Sequence, residues 1–173
     1  MTVDIPLTSP GFDADASTWT PYDEEAGAIR PIIVPATSVA ITADSPPNVA
    51  HFAGVNDCRA GMFQSITIPD GALTMTLTGR RQVTTAETGS TPFDVLTIQL
   101  WEDAQTTTGL IGDFAVISNE NPTTGWVDFT GTISVDTHAG EAVDLDFWAE
   151  TDSSLITDFY VDSLTLTAFV CFD

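Results

Sequence analysis

Asp144 and Asp146 stand two residues apart in an alternating run, which puts both carboxylates on one face of a strand. Like charges so placed raise a carboxylate pKa or attract a cation. A glycosidase needs its two acids facing each other across a cleft, which neighbours on one strand do not do. The pair therefore reads as solvated, with weak cation affinity. Asp136, His138 and Glu141 surround Gly140, but their spacing fits no zinc motif, and a surface turn is the simpler reading. His51 is the only other histidine, so a multi-histidine centre is nearly excluded. Trp101 and Trp148 fall on the polar faces of their strands, Trp101 beside Gln99 and Trp148 beside Asp146. A tryptophan so placed covers an edge, packs under a loop, meets another subunit or receives a ligand. No nucleophile elbow, glycine-rich phosphate loop or zinc signature is present, and the expectation is a protein that is not an enzyme.

The elements that must position these groups are strands. The best helix candidate, Glu24 to Arg30, is short, contains Gly27 and lies between Pro21 and Pro31. The rest is rich in Thr, Val, Ile and Phe with period-two alternation. Ala72 to Thr78 puts Leu73, Met75 and Leu77 on one face, and Met62 to Ile68 does the same with Met62, Gln64, Ile66 and Ile68. Asp94 to Glu102 turns Leu96, Ile98 and Leu100 inward, leaving Gln99 and Trp101 outward. Trp126 to Val135 buries Val127, Phe129, Ile133 and Val135. Val143 to Ala149 buries Val143, Leu145, Phe147 and Ala149, leaving Asp144, Asp146 and Trp148 outward. Turn residues separate these runs at Pro69-Asp70-Gly71, Thr88-Gly89-Ser90, Asn119 to Pro122 and His138-Ala139-Gly140. Many short strands with no helices between them predict an all-β fold, an antiparallel β-sandwich or barrel. Residues 1 to 10 carry Pro6 and Pro10 and read as an arm or edge strand, ahead of a single domain over 11–173.

The last strand breaks its own pattern. Phe159 and Val161 are apolar at odd positions, while Leu164, Leu166, Ala168 and Val170 are apolar at even ones. A β-bulge near Asp162-Ser163 would change the register and hold Asp162 in a special geometry. The alternative is a strand buried on both faces, with Asp162 at its solvated end.

Composition bounds the partners. The chain has 173 residues, a formal charge of -21, four arginines and no lysine. The length fits one domain, and the 43% hydrophobic content is enough for a real core. Nucleic-acid phosphates and anionic lipid surfaces would be repelled, and no run of about twenty apolar residues could insert into a membrane. Cations are the natural small partners of such a surface. Met1 to Pro6 has neither a basic nor an apolar signal region, so a signal was removed or that route is not used. Cys58 and Cys171 allow one disulfide or two thiols, with Cys171 expected to be buried in its apolar run. Trp19 and Trp126 read as structural, Trp126 as a plug at one end of the sandwich.

The order of single residues along the chain carries a resemblance. Gly11-Phe12-Asp13 precedes Trp19, then come Ala50 to Gly54, Gln64 to Pro69 and Asp94 to Ile98. Trp126, Ala139-Gly140, Phe147, Asp152 and Phe159 to Leu166 follow. This order resembles the jelly-roll modules of the carbohydrate-binding, galactose-binding-like class, over roughly residues 11 to 170. The resemblance implies a structural Ca²⁺ between the first and last strands, held by the Gly11 carbonyl and the carboxylates of Asp13 and Asp162. The segment Asp44 to Ala53 supplies the rest, with Asp44 its best side chain. Mixed carboxylate and carbonyl oxygens suit Ca²⁺. The class often has Glu where Asp13 stands, and the shorter side chain reaches less far. The alternative is that Asp13 forms an Asx-turn and Asp162 bonds backbone N–H groups. The resemblance also implies glycan binding through exposed aromatics and amides, here Trp101, Trp148, Gln99 and Asp146. The function expected is a non-catalytic, Ca²⁺-stabilised binding module, extracellular or on a surface, recognising glycans or serving adhesion. The second expectation is a structural subunit of a filament, capsid or surface layer. Such a subunit would meet its neighbours through strand contacts, with Phe169 to Phe172 as an interface.

Overall fold

In a computed structural model the described residues are 1–13, 18–23 and 32–171. They form two antiparallel sheets packed face to face, as the alternation requires. One sheet contains β3 (Ile33–Pro35), β4 (Asn48–Ala53), β11 (Thr157–Val170), β6 (Ala72–Thr85) and β9 (Val127–Ser134) in that order, with β1 (Thr2–Ile5) also paired to β11. The other contains β2 (Thr20–Asp23), β5 (Arg59–Thr67), β10 (Ala142–Glu150), β7 (Val95–Asp103) and β8 (Thr108–Ser118). A short 3-10 helix, Ala36–Val39, follows β3. Glu24 to Arg30, the segment of the helix candidate, lies outside the described residues. No helix among the described residues is long and apolar enough to cross a membrane.

The inward faces are largely those the alternation predicts. Leu96, Ile98 and Leu100 of β7 and Val143, Leu145, Phe147 and Ala149 of β10 are buried in one apolar core with Met75, Leu77 and Phe159. Trp19 joins it, edge-on to Phe147 with ring centroids 5.7 Å apart. Two strand ends depart from the reading. Leu73 is 39% exposed, because a register shift at Phe169/Val170 turns Ala72 inward instead. Val127 is 37% exposed at the start of β9.

The parity break in β11 is a bulge, with the register shifting between Asp162 and Thr165 and Ser163 at φ 53°. Phe159 and Val161 before it and Leu164, Leu166, Ala168 and Val170 after it all reach the core. Asp162 is fully buried rather than solvated. Over its first half β11 is covered outside as well, where Tyr160 and Val49 pack with Ala36, Ala43 and the edge of Trp126. The Trp126 indole donates to the Thr42 carbonyl at 2.7 Å, pinning that cover. Residues Thr2 to Ile5 pair antiparallel with Leu166–Phe169. Both cysteines are free thiols, Cys58 buried and Cys171 exposed. Cys171 is not buried because the even positions of late β11 face the core and it continues the odd ones, beyond the strand's end. Phe169, on that same odd face, is 47% exposed; Phe172 lies outside the described residues.

Candidate functional site

The outer face of the second sheet carries the two tryptophans in three cross-strand rows. In the first row Tyr22, Gly61, Trp148 and Thr97 lie side by side; in the second, Phe63, Asp146, Gln99 and Asp113. The third row runs Ser65, Asp144, Trp101 and Leu110. A row of acid and amide is thus flanked by rows carrying the large rings. Tyr22, Gln99, Trp101, Ala104, Thr107, Asp146 and Trp148 line one cleft of about 140 Å³. All four side chains expected to bind ligand are among them.

Glycine builds one wall. Tyr22 and Trp148 stack at 5.2 Å and 12° above Gly61. A Cβ at Gly61 would lie 2.5 Å from the Phe147 carbonyl oxygen, 2.8 Å from the Tyr22 ring and 2.9 Å from the Trp148 ring. Sequence reading missed Tyr22. The available signal was Gly61 inside a strand, which marks close approach by another group.

The acids are not solvated. Asp146 is 2% and Asp144 8% exposed, although both point away from the core. The face is itself covered, by Tyr22 on one side and by the loop after β7 on the other. The Tyr22 hydroxyl donates to Asp146 Oδ1 at 2.6 Å. Asp144 accepts from the Ser65 hydroxyl at 2.6 Å and from the Ala104 N–H at 3.0 Å, which ties the loop to the cleft rim. Burial pushes the Asp146 carboxyl up to about 6, and the charge of Asp144 adds to the push. The hydrogen bonds from Tyr22 and the Phe147 backbone hold it back. Gln99 donates to Asp113 at 2.7 Å and accepts from the Trp101 indole at 3.2 Å, so its orientation is set from both sides.

Of the expected cation residues, Gly11, Asp13 and Asp162 come together at Ser45, beside the bulge of β11. Asp13 accepts from the Ser45 hydroxyl at 2.7 Å and the Asn48 N–H at 3.0 Å. Asp162 accepts from the Ser45 N–H at 2.8 Å and the Ser163 N–H at 2.7 Å. Gly11 lies against the same serine, where a Cβ would meet Ser45 Oγ at 2.7 Å. Asp44 faces elsewhere: it accepts from the Ser163 hydroxyl at 2.7 Å and pairs with Arg80 Nε at 3.3 Å. Burial raises the Asp162 carboxyl to about 6 against the backbone hydrogen bonds that lower it, with Asp13 adding a smaller upward push. Two hard-oxygen carboxylates that converge on one serine fit a Ca²⁺ ion in donor type. The set is held by backbone and hydroxyl donors, and among the described residues no three acid, histidine or cysteine side chains are grouped closely enough to share a metal.

The remaining candidates stay apart. His138 pairs with Glu141 at 2.9 Å in an exposed turn, while Asp136 takes the Ser134 hydroxyl. His51 stacks on Tyr160 and pairs with Asp158 at 2.7 Å on the other sheet.

No protein-family model and no curated protein sequence matches the chain. Solved structures do match in shape. One is the module TmCBM61 in complex with beta-1,4-galactotriose, with TM-score 0.56 and 14% identity over 98% of this chain and 100% of that one. A second is the CBM22-1 xylan-binding domain of a Paenibacillus barcinonensis protein, with TM-score 0.53 and 14% identity over 99% and 95% of the two chains. A third is the Stig cyclase Fisc from Fischerella sp. TAU in complex with (3Z)-3-(1-methyl-2-pyrrolidinylidene)-3H-indole. It gives TM-score 0.62 and 16% identity over 99% and 100% of the two chains. The chain therefore has the β-sandwich jelly-roll fold of carbohydrate-binding modules, a fold that an enzyme also uses.

Proposed function

We propose that the chain is a glycan-binding module, non-catalytic and stabilised by Ca²⁺, acting outside the cell or on a surface. One observation carries the reading: Tyr22, Trp101 and Trp148 converge with Gln99 and Asp146 in one cleft on a sheet face. A pyranose offers apolar C–H faces and polar edges, which rings and fixed polar groups recognise together. The shared fold of the galactotriose-bound module and the xylan-binding domain supports it. Calorimetric titration with β-1,4-linked galacto- and xylo-oligosaccharides tests it. Trp101→Ala and Trp148→Ala should each weaken binding at least about tenfold, or roughly 1.4 kcal/mol. A wild-type protein that binds nothing on a broad glycan array would remove the reading.

The calcium part rests on Asp13 and Asp162 meeting at Ser45. Asp13, Asp162 and the Gly11 carbonyl would hold the ion, with Asp44 turned instead to Ser163 and Arg80; the ion would supply the positive charge that the buried Asp162 lacks. A ligand bound only by the folded state raises its stability by mass action. The wild type should melt higher in Ca²⁺ than in EDTA, and Asp162→Asn should lose that difference. Identical wild-type melting in the two buffers refutes the calcium part alone.

A further inference from the structure

The polar hydrogens around the cleft are mostly spoken for. The Tyr22 hydroxyl is given to Asp146, the Trp101 indole N–H to Gln99, and a Gln99 amide proton to Asp113. The Ala104 N–H goes to Asp144. What the cleft retains is mostly acceptor capacity and negative charge, held between aromatic faces. None of the described residues lining it is positively charged. A neutral sugar presents hydroxyls that must both donate and accept, and it leaves two buried carboxylates without a countercharge. A protonated amine donates only, carries the missing charge, and is attracted by ring faces as well as by carboxylate.

We propose that the cleft prefers a sugar carrying a protonated amine, its ammonium seated over Asp146 between the Tyr22–Trp148 stack and Trp101. This rests on the glycan reading and names the ligand class of that site. The charged groups around Asp146 agree in sign. Asp144 lies beside it on β10, Asp113 lies behind Gln99 on β8, and Asp103 lies beyond Trp101 on β7. From β2 comes the neutral Tyr22 hydroxyl, with Thr20 in the row of Asp146 and the acid Asp23 at the strand's end. Among the described residues the cation on this face is Arg59 of β5, a row past Trp148 and facing Glu150 at 3.8 Å. Burial that raises the Asp146 pKa also sets the pH range of the effect: the carboxyl charges as pH climbs through about 6, so ammonium binding strengthens in that direction.

Calorimetry at near-physiological salt decides the matter, with glucosamine oligomers, their N-acetylated counterparts and neutral galacto-oligosaccharides as probes. At about pH 7 the free-amine oligomer should bind at least about tenfold tighter than its N-acetylated form, and the advantage should shrink at about pH 5. Asp146→Asn should abolish the advantage. Asp136→Asn, which removes an exposed charge outside the cleft, should keep it. Equal binding of free-amine, N-acetylated and neutral oligomers overturns this inference and leaves the glycan reading standing. An amine advantage unchanged by Asp146→Asn also overturns it, since the net charge would then be the cause. No binding by any sugar overturns both. If Asp146→Asn fails to fold, the wild-type pH series decides: an advantage that does not fall towards pH 5 refutes the proposal.

Discussion

Phe147→Ala should remove about 3–5 kcal/mol of unfolding free energy, the cost of emptying a large aromatic site in a packed core. For a chain of this length that lowers the melting temperature by very roughly 6–20 °C, readable by differential scanning calorimetry. The ring is fully buried. It stacks on Phe52 at 5.9 Å and 12° and receives the edge of Trp19 at 5.7 Å, so its loss leaves both neighbours facing a void. The effect should not stop at stability. Phe147 sits between Asp146 and Trp148 on β10, and its anchoring against the core fixes the height of both above the sheet. Phe147→Leu refills much of the volume and should recover part of the stability. Glycan affinity that recovers in step with stability would tie the cleft to the core beneath it. Full affinity in a folded Phe147→Ala protein would show that the rings are placed by the outer face alone.

Much of that outer face is legible in the sequence, for one physical reason. Alternation reports which way a side chain points, so burying Leu96, Ile98 and Leu100 obliges Gln99 and Trp101 to face out, and burying Leu145 and Phe147 does the same for Asp146 and Trp148. A break in parity is equally local: apolar spacing marks Asp162-Ser163 as the point where either a bulge or two-sided burial must begin, and the structure has the bulge. Alternation does not report what lies over a face. The burial of Asp144 and Asp146 comes from Tyr22, which reaches them because β2 pairs with β5, and from the Ala104 loop, which Asp144 itself ties down. Both are contacts between distant parts of the chain. Strand ends are illegible for a related reason: the register shift at Phe169/Val170 reassigns the faces of Ala72 and Leu73 that the run of residues implies. The strand Thr108–Ser118 escapes pattern reading altogether, since Gly109, Gly112 and Asp113 interrupt its alternation. The donors at the bulge are recognisable only through the resemblance. Nothing in their spacing reveals that Asp44 turns to Arg80 while Asp13 and Asp162 share Ser45.

Gly61→Val should cost the proposed glycan affinity about as much as removing Trp148 outright, although residue 61 does not line the cleft. The reason is the missing Cβ. Any side chain at 61 meets the Phe147 carbonyl oxygen at 2.5 Å, and backbone in a central strand cannot step aside cheaply. It also meets the facing rings of Tyr22 and Trp148, so the stack must open or shift. Overpacking of this kind typically costs about 1–3 kcal/mol of stability, and loss of the stacked pair about 0.5–1.5 kcal/mol more. The protein should therefore melt lower but still fold. A double-mutant cycle separates the ring effect from general damage. If Gly61→Val acts by displacing Trp148, then Gly61→Val combined with Trp148→Ala binds no more weakly than Trp148→Ala alone. Additive losses would instead mean that the strand itself has moved, carrying Asp146 with it. The melting data discriminate as well: truncating Trp148 relieves the ring clash but not the carbonyl one, so the double variant should regain only part of the stability lost in Gly61→Val.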